Sequence, residues 1–191
     1  MSSNAEIRAA AREALRGQWG MAVLVVFVYL ALFTAIGMIP VVNNIGPLLL
    51  GGAFAYGLYA YFLQVSRGHR PELGVMFTGF RRYGTTLALY LLQALFVLLW
   101  TLLLIVPGIV AALRYSLSYF ILLENPGMSA LDAIRRSKEL MDGHKMQLFL
   151  LQLSFLGWAL LCVLTLGIGF LWLLPYMQTS MAAFYERVKD A

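Results

Sequence analysis

The sequence predicts an all-α membrane protein: a bundle of six transmembrane helices arranged as three hairpins, with both termini in the cytoplasm. Three observations lead to this prediction. Apolar residues make up 61% of the 191 residues and charged residues only 12%, whereas soluble domains are roughly 45–50% apolar. Long apolar segments recur along the whole chain. The basic residues, with one exception, occur in short groups between these segments, as membrane-flanking residues do.

Each predicted span is close to the roughly 20 residues that cross about 30 Å of hydrocarbon. Pro40 and the following asparagines end the first span, Pro107 and Gly108 end the third, and Pro175 lies inside the sixth. The fourth span is shorter than the others. The predicted spans are residues 19–39, 47–65, 86–106, 109–123, 146–164 and 168–188. They form a single integral membrane domain that covers residues 1–191.

The positions of the basic residues decide the number of spans. In an alternative with five spans, residues 86–113 form one long kinked helix and RYSLSYFILLE lies at the membrane interface. That alternative places the basic residues of 129–145 on the outer side. With six spans, every basic residue except Arg114 lies on one side, as the positive-inside rule requires. We therefore predict six spans, with both termini in the cytoplasm.

The segment SALDAIRRSKELMDGHK, residues 129–145, is predicted to be a cytoplasmic interfacial helix at about 129–142. Ser129 and Asp132 have the spacing of a capping box, with Asp in place of the usual Glu or Gln. Gly143 is a typical residue for the end of a helix. Apolar residues at helical spacing, Leu131, Ile134 and Met141, are expected to rest on the membrane or on the bundle.

The polar side of this helix is a candidate docking surface. Arg135, Arg136 and Lys138 are expected to face water or anionic headgroups. In one interpretation the helix only connects two spans. In the other, these three side chains bind a partner protein or lipid at the cytoplasmic face.

Several stretches of the chain resemble one family of bacterial membrane proteins. They are EALRGQWG, LLLIVPGIVAALRYS, LENPGMSALDAIRRSKELMDG and LSFLGWALLCVLTLGIGFLWLLPY. These stretches resemble the family catalogued as domain of unknown function 975, over nearly the whole chain. The resemblance implies a multi-pass protein of the bacterial cytoplasmic membrane and carries over no catalytic residue. AIRRSKELMDG also shows a looser likeness to the membrane region of some glycerophosphodiester phosphodiesterases.

Arg114 is the candidate functional residue within the membrane. It follows Gly108 by six positions, which is about 9 Å along a helix. A charge inside the bilayer is costly unless it is paired, hydrated or near the surface. The alternative role is structural, with Arg114 reaching the outer headgroups or capping broken backbone. Candidates for contact with the same lipid or substrate are Gln93, Gln152, Gln178 and Tyr176.

Two further features suggest places where helices bend or approach closely. Pro107, Gly108 and Pro175 are predicted hinges or kinks, because proline leaves a backbone carbonyl without its partner. Broken helices of this kind bind substrates in transporters, but ordinary bundles contain simple kinks as well. The small residues of 51–57 allow close approach of a helix from the bundle or from a second copy of the chain.

Signatures of enzymes, metal sites and nucleic-acid binding are lacking in the sequence. His69 and His144 stand apart, without the spacing of a metal site. Cys162 is the only cysteine, so no intrachain disulfide is expected. We therefore expect no catalysis, no cofactor and no bound metal. The basic residues form no continuous surface, so the expected partners are membrane lipids and a cytoplasmic protein rather than nucleic acid.

Two functions remain compatible with the sequence. The first is a non-enzymatic membrane component that binds a partner protein or lipid through residues 129–145 and Arg114. The alternative is a small transporter or channel with a polar pathway near Arg114, Gln152 and Pro175. A polar cavity that reaches Arg114 would favour transport. A sealed Arg114, together with an exposed apolar face on the 129–145 helix, would favour partner binding.

Overall fold

A computed structural model describes residues 3–39 and 45–190, and the predicted turn at Pro40 to Asn44 lies outside these ranges. The described residues form α-helices and one 3-10 helix, with no strand among them. The α-helices are α1 Asn4–Leu15, α2 Trp19–Gly37, α3 Gly46–Ser66, α4 Tyr83–Leu103, α5 Ile105–Tyr115, α6 Ser118–Glu124, α7 Ala130–Leu140, α8 Lys145–Leu153, α9 Leu156–Leu164 and α10 Phe170–Lys189. The 3-10 helix is Leu73–Arg82.

Five segments of the described residues are long and apolar enough to cross a membrane. They are Trp19–Gly37, Gly46–Ser66, Leu73–Leu103, Ile105–Glu124 and Lys145–Leu164. Many of their large apolar side chains remain exposed, and Leu166 in the following turn is 94% exposed. Soluble monomers rarely expose a large continuous apolar surface, so these helices indicate a membrane protein.

The sixth predicted span corresponds to α10, which is long enough to cross but more polar than the other five. Two of its polar residues lie inside the bundle, where α10 packs against α1, α2, α3 and α9. Thr179 and Ser180 are buried, and their hydroxyls donate to the carbonyls of Pro175 and Tyr176, each at 2.8 Å. The helix continues through Pro175, as membrane-spanning helices can.

The turn between α4 and α5 is at Leu104, earlier than the predicted turn at Pro107–Gly108. Pro107 lies in the first turn of α5, where its missing N–H is not required. Gly108 allows α4 and α5 to touch, because a Cβ there would be 2.2 Å from the Thr101 hydroxyl oxygen. The two helices therefore lie side by side and antiparallel, and the alternative of one long kinked helix does not form.

The 3-10 helix occupies the predicted loop between the second and third spans and lies along α3. Gly57 makes this contact possible, because a Cβ there would overlap the Met76 carbonyl oxygen at 1.8 Å. Gly51 and Gly52 likewise face α4, against Tyr90. The small residues of α3 are thus used for packing within the chain.

The predicted interfacial helix is α7. The Ser129 hydroxyl accepts the Asp132 N–H at 3.2 Å at its start, and Gly143 adopts a φ of +81° in the turn after it. Ile134 and Met141 are buried against the bundle, whereas Leu131 is 52% exposed and does not join them. The apolar side of α7 is therefore largely covered by the protein's own helices.

Candidate functional site

A cluster of ion pairs joins the ends of α3, α6 and α10. Glu124 accepts hydrogen bonds from Arg67, from Lys189 at 2.9 Å and from the Tyr185 hydroxyl at 2.7 Å. Glu186 pairs with Arg67 at 2.7 Å. These four charged side chains expose 23–35% of their surface. The hydrogen bond to Glu124 raises the pKa of Lys189. We call this group the ion-pair cluster.

Helix α1 is fixed to the same end of the bundle. It starts with a capping box between Ser3 and Glu6, and Glu6 pairs with Arg187 at 3.5 Å. Ile7, Ala11 and Leu15 are fully buried because their spacing of four residues places them on one side of the helix. This side packs mainly against α10.

The largest cavity described here lies between α1, the start of α2, α9 and α10 and has a volume of about 690 Å³. We call it the α1 groove. Arg8 and Arg12 line it from α1. Its other walls are mostly aromatic and apolar, and include Trp19, Trp158, Leu161, Trp172, Leu173 and Tyr176. The groove thus combines two cations with an apolar, tryptophan-rich wall.

Arg8 and Arg12 belong to the half of the basic residues that form no ion pair with a described carboxylate. Within residues 3–39 and 45–190, neither has a carboxylate within 4 Å, although Arg16 and Arg187 nearby do. Their spacing of four places them on one side of α1, where like charges destabilise a helix by a few tenths of a kcal/mol. The arrangement leaves both guanidinium groups available to an anion.

A smaller cavity of about 320 Å³ brings together two residues that the sequence placed in separate candidate groups. Arg114 of α5 and Lys138 of α7 both line it, together with Phe96, Trp100 and Pro107. The contact between the helices is made by Ser137, whose hydroxyl donates to the Arg114 carbonyl at 2.7 Å. The same hydroxyl accepts the Leu117 N–H at 3.2 Å, where α5 and α6 are interrupted. Helix α7 therefore caps this break.

A third cavity of about 390 Å³ contains two of the predicted glutamines. Gln93 and Gln152 line it with Tyr59, Tyr90, Tyr115, Ser116 and Tyr119. We call it the tyrosine cleft. The Gln93 amide donates to the Tyr115 carbonyl at 2.8 Å. The predicted contact residues are therefore divided among three cavities rather than gathered around Arg114.

The remaining candidates have simpler surroundings. Gln178 lies half-buried on α10 and lines none of these three cavities. Arg135 and Arg136 are exposed and pair with Asp132 and Glu139 on their own helix, at 3.5 and 3.0 Å. Exposed pairs of this kind contribute little to stability.

Arg8, Arg12 and Tyr119 are not among the site residues predicted from the sequence. The sequence does contain one signal for the two arginines of the α1 groove. Arg8 and Arg12 are four residues apart, and neither has an acidic residue three or four positions away. The sequence contains no indication that α9 and α10 supply the opposite wall. In the described part of the chain, no three His, Cys, Asp or Glu side chains lie close enough to hold a metal ion.

The chain belongs to the family described as "Protein of unknown function (DUF975)". The family model matches residues 1–113 and 102–191, which together span the whole chain. This match confirms the predicted family. No curated protein and no solved structure matches the chain. The looser likeness to glycerophosphodiester phosphodiesterases therefore has no support from these comparisons.

Proposed function

We propose that this member of the family is a non-enzymatic, multi-pass protein of the bacterial cytoplasmic membrane that binds an anionic lipid in the α1 groove. One observation carries the proposal. Arg8 and Arg12, without carboxylate partners among the described residues, line the same groove as an apolar wall of tryptophan and leucine. Such a groove matches a molecule with an anionic head and a hydrocarbon tail.

The head of the lipid is assigned to the arginines by their chemistry. Guanidinium groups present several N–H donors in a plane and bind phosphate through paired, charge-assisted hydrogen bonds. Basic pockets between membrane helices are known sites for anionic headgroups. Arg8 and Arg12 are one helical turn apart, so both can donate to one phosphate.

The tail of the lipid is assigned to α9 and α10. Trp158 and Trp172 line the groove and are 59% and 52% exposed, as is Leu161 to a similar extent. In a membrane these exposed side chains contact acyl chains. The groove is thus open toward the hydrocarbon along its apolar wall.

The topology that accompanies this proposal has six crossings with both termini in the cytoplasm. The ion-pair cluster supports it, because it holds the ends of α3, α6 and α10 together. The pair between Glu6 and Arg187 adds the N-terminal helix to the same end. Reporter fusions after the C-terminus and at Arg70 should both report the cytoplasm. Signals from opposite sides would refute the six-crossing topology.

Two alternatives have less support than lipid binding. Docking of a protein on α7 would use Arg135, Arg136 and Lys138, and the first two already pair with acidic neighbours. A transport pathway would need Arg114, Gln152 and the Pro175 region to share one passage. Arg114 and Gln152 instead line separate cavities, and Tyr176 beside Pro175 lines a third.

The proposal can be tested by native mass spectrometry of the detergent-solubilised protein with phosphatidylglycerol and phosphatidylcholine. The wild type should retain phosphatidylglycerol in preference to phosphatidylcholine. The double variant Arg8→Gln, Arg12→Gln should bind phosphatidylglycerol about tenfold or more weakly, since two charge-assisted contacts are lost. The control variant Arg135→Gln, Arg136→Gln removes the same charge from exposed pairs and should bind as the wild type does.

Two results would refute the proposal. One is equal binding of the two lipids by the wild type. The other is a similar loss in both double variants, which would indicate a general effect of net charge rather than a site in the α1 groove.

A further inference from the structure

The tyrosine cleft is chemically different from the α1 groove. All of its lining side chains are uncharged, and several of them carry hydrogen-bonding groups: Tyr59, Tyr90, Gln93, Ser116, Tyr119 and Gln152. Tyr and Ser hydroxyls both donate and accept hydrogen bonds, and the Gln side chain supplies an NH2 donor and a carbonyl acceptor. The cleft therefore offers hydrogen bonds without a charge to balance an ion.

One buried hydroxyl of the cleft has no hydrogen-bond partner among the described residues. Tyr119 is 5% exposed, and its hydroxyl makes no hydrogen bond with the described residues. Its ring is held in place by stacking on Tyr59, with ring centroids 5.0 Å apart and planes within 8°. A buried polar group without a partner is costly and needs an explanation such as a bound molecule.

The cleft opens sideways, toward the surface that faces lipid. Ala94, Ala112 and Gln152 line it and are exposed. Each lies in a segment that is long and apolar enough to cross a membrane. Gln152 is a polar amide on such a surface, where hydrocarbon would leave it unsatisfied. A molecule that enters here therefore comes from within the membrane and carries polar groups at membrane depth.

We propose that the tyrosine cleft binds the uncharged, hydroxyl-bearing head of a membrane lipid, such as diacylglycerol or a glycosylated diacylglycerol. A charged head is disfavoured, because the lining contains no opposite charge and the surroundings are apolar. Hydroxyls of the ligand complete the hydrogen bonds of Tyr119 and Gln152, while tyrosine rings cover the carbon skeleton. The acyl chains remain in the bilayer outside Ala94 and Ala112. This site is independent of the lipid site in the α1 groove.

The test uses a monoglucosyl diacylglycerol with the full chain in an amine-oxide detergent, since sugar detergents themselves carry the proposed head. Native mass spectrometry should show retention of this lipid over phosphatidylcholine. Tyr119→Phe and Gln152→Leu should each weaken its binding about tenfold, as expected for one lost hydrogen bond away from bulk water. Tyr61→Phe is the matched control, because its hydroxyl is also buried and unpartnered but does not line the cleft.

The outcomes separate this site from its alternatives. Binding that survives Tyr61→Phe and weakens with both cleft variants supports the proposal. No preference over phosphatidylcholine, or unchanged binding in both cleft variants, overturns it. Equally tight binding of free glucose would overturn the membrane source of the ligand. The cleft variants should still bind phosphatidylglycerol, so that failure here does not depend on the α1 groove.

Discussion

Two groups of basic side chains in this protein have opposite environments. In the ion-pair cluster, Arg67 and Lys189 each contact both Glu124 and Glu186. In the α1 groove, Arg8 and Arg12 contact no carboxylate among the described residues. They line the groove together with an apolar wall that other helices supply. Both groups occur in segments that the sequence assigns to the same side of the membrane. Position relative to the membrane therefore does not distinguish them, whereas their partners do.

The difference separates a structural role from a binding role. Oppositely charged side chains that pair with each other stabilise the packing of helices. They have few free hydrogen-bonding groups for a ligand. Charges that remain unsatisfied beside an apolar surface gain most when an anion arrives. The comparison predicts that changes in the ion-pair cluster alter stability, and that changes in the α1 groove alter lipid binding.

The largest effect on stability is expected from Arg67→Ala. The change leaves Glu124 and Glu186 with less compensation in a partly buried site, so the free energy of unfolding should fall by about 1–3 kcal/mol. Denaturation in mixed detergent micelles would measure it. Arg135→Ala, in an exposed pair, is the control and should change stability by less than about 0.5 kcal/mol. An equal loss of free energy of unfolding in the two variants would contradict a structural role specific to the ion-pair cluster.

A smaller effect is expected from pH, through Lys189. The hydrogen bond to Glu124 raises its pKa above the ordinary value of 10.5. Since the folded-state pKa is the higher one, this interaction adds stability below about pH 10.5 and loses it as pH rises through the folded-state pKa. The stability difference between wild type and Lys189→Gln should therefore shrink above that pH. A difference that stays constant up to pH 12 would contradict the assignment.

The smallest effect on stability is expected from Arg8→Gln, Arg12→Gln without added lipid. Removal of two like charges one turn apart should leave the free energy of unfolding unchanged or higher by a few tenths of a kcal/mol. With phosphatidylglycerol at a hundredfold excess over the wild-type Kd, the wild type should gain about 2.7 kcal/mol, whereas the variant, which binds tenfold or more weakly, should gain about 1.4 kcal/mol or less. A large loss of stability in the lipid-free variant would instead assign these arginines a structural role.

Much of the fold was predictable, because hydrophobic length and charge are local properties of the sequence. The helix at Ala130–Leu140, with Ser129 at its start and Gly143 after its end, follows directly from capping chemistry. The capping box of Ser3 and Glu6 carried the same signal for α1 and was overlooked. The turn at Leu104 was misplaced because Pro107 suits the first turn of a helix as well as a break.

The candidate sites were less predictable, because they depend on contacts between distant segments. Arg114 and Lys138 line one cavity because Ser137 docks α7 onto the break after α5. Arg8 and Arg12 become a site only because α9 and α10 supply the facing wall. Sequence spacing reveals which residues share one side of a helix, but not which helix lies opposite.

The most direct test of the central claim is photo-crosslinking with a phosphatidylglycerol that carries a photoreactive group in its acyl chain. Crosslinked peptides from the wild type should map to the apolar wall, around Trp158, Leu161 and Trp172. The Arg8→Gln, Arg12→Gln variant should lose these crosslinks while a folded protein is retained. Crosslinks spread evenly over all exposed apolar helices, and unchanged in the variant, would contradict a lipid site in the α1 groove.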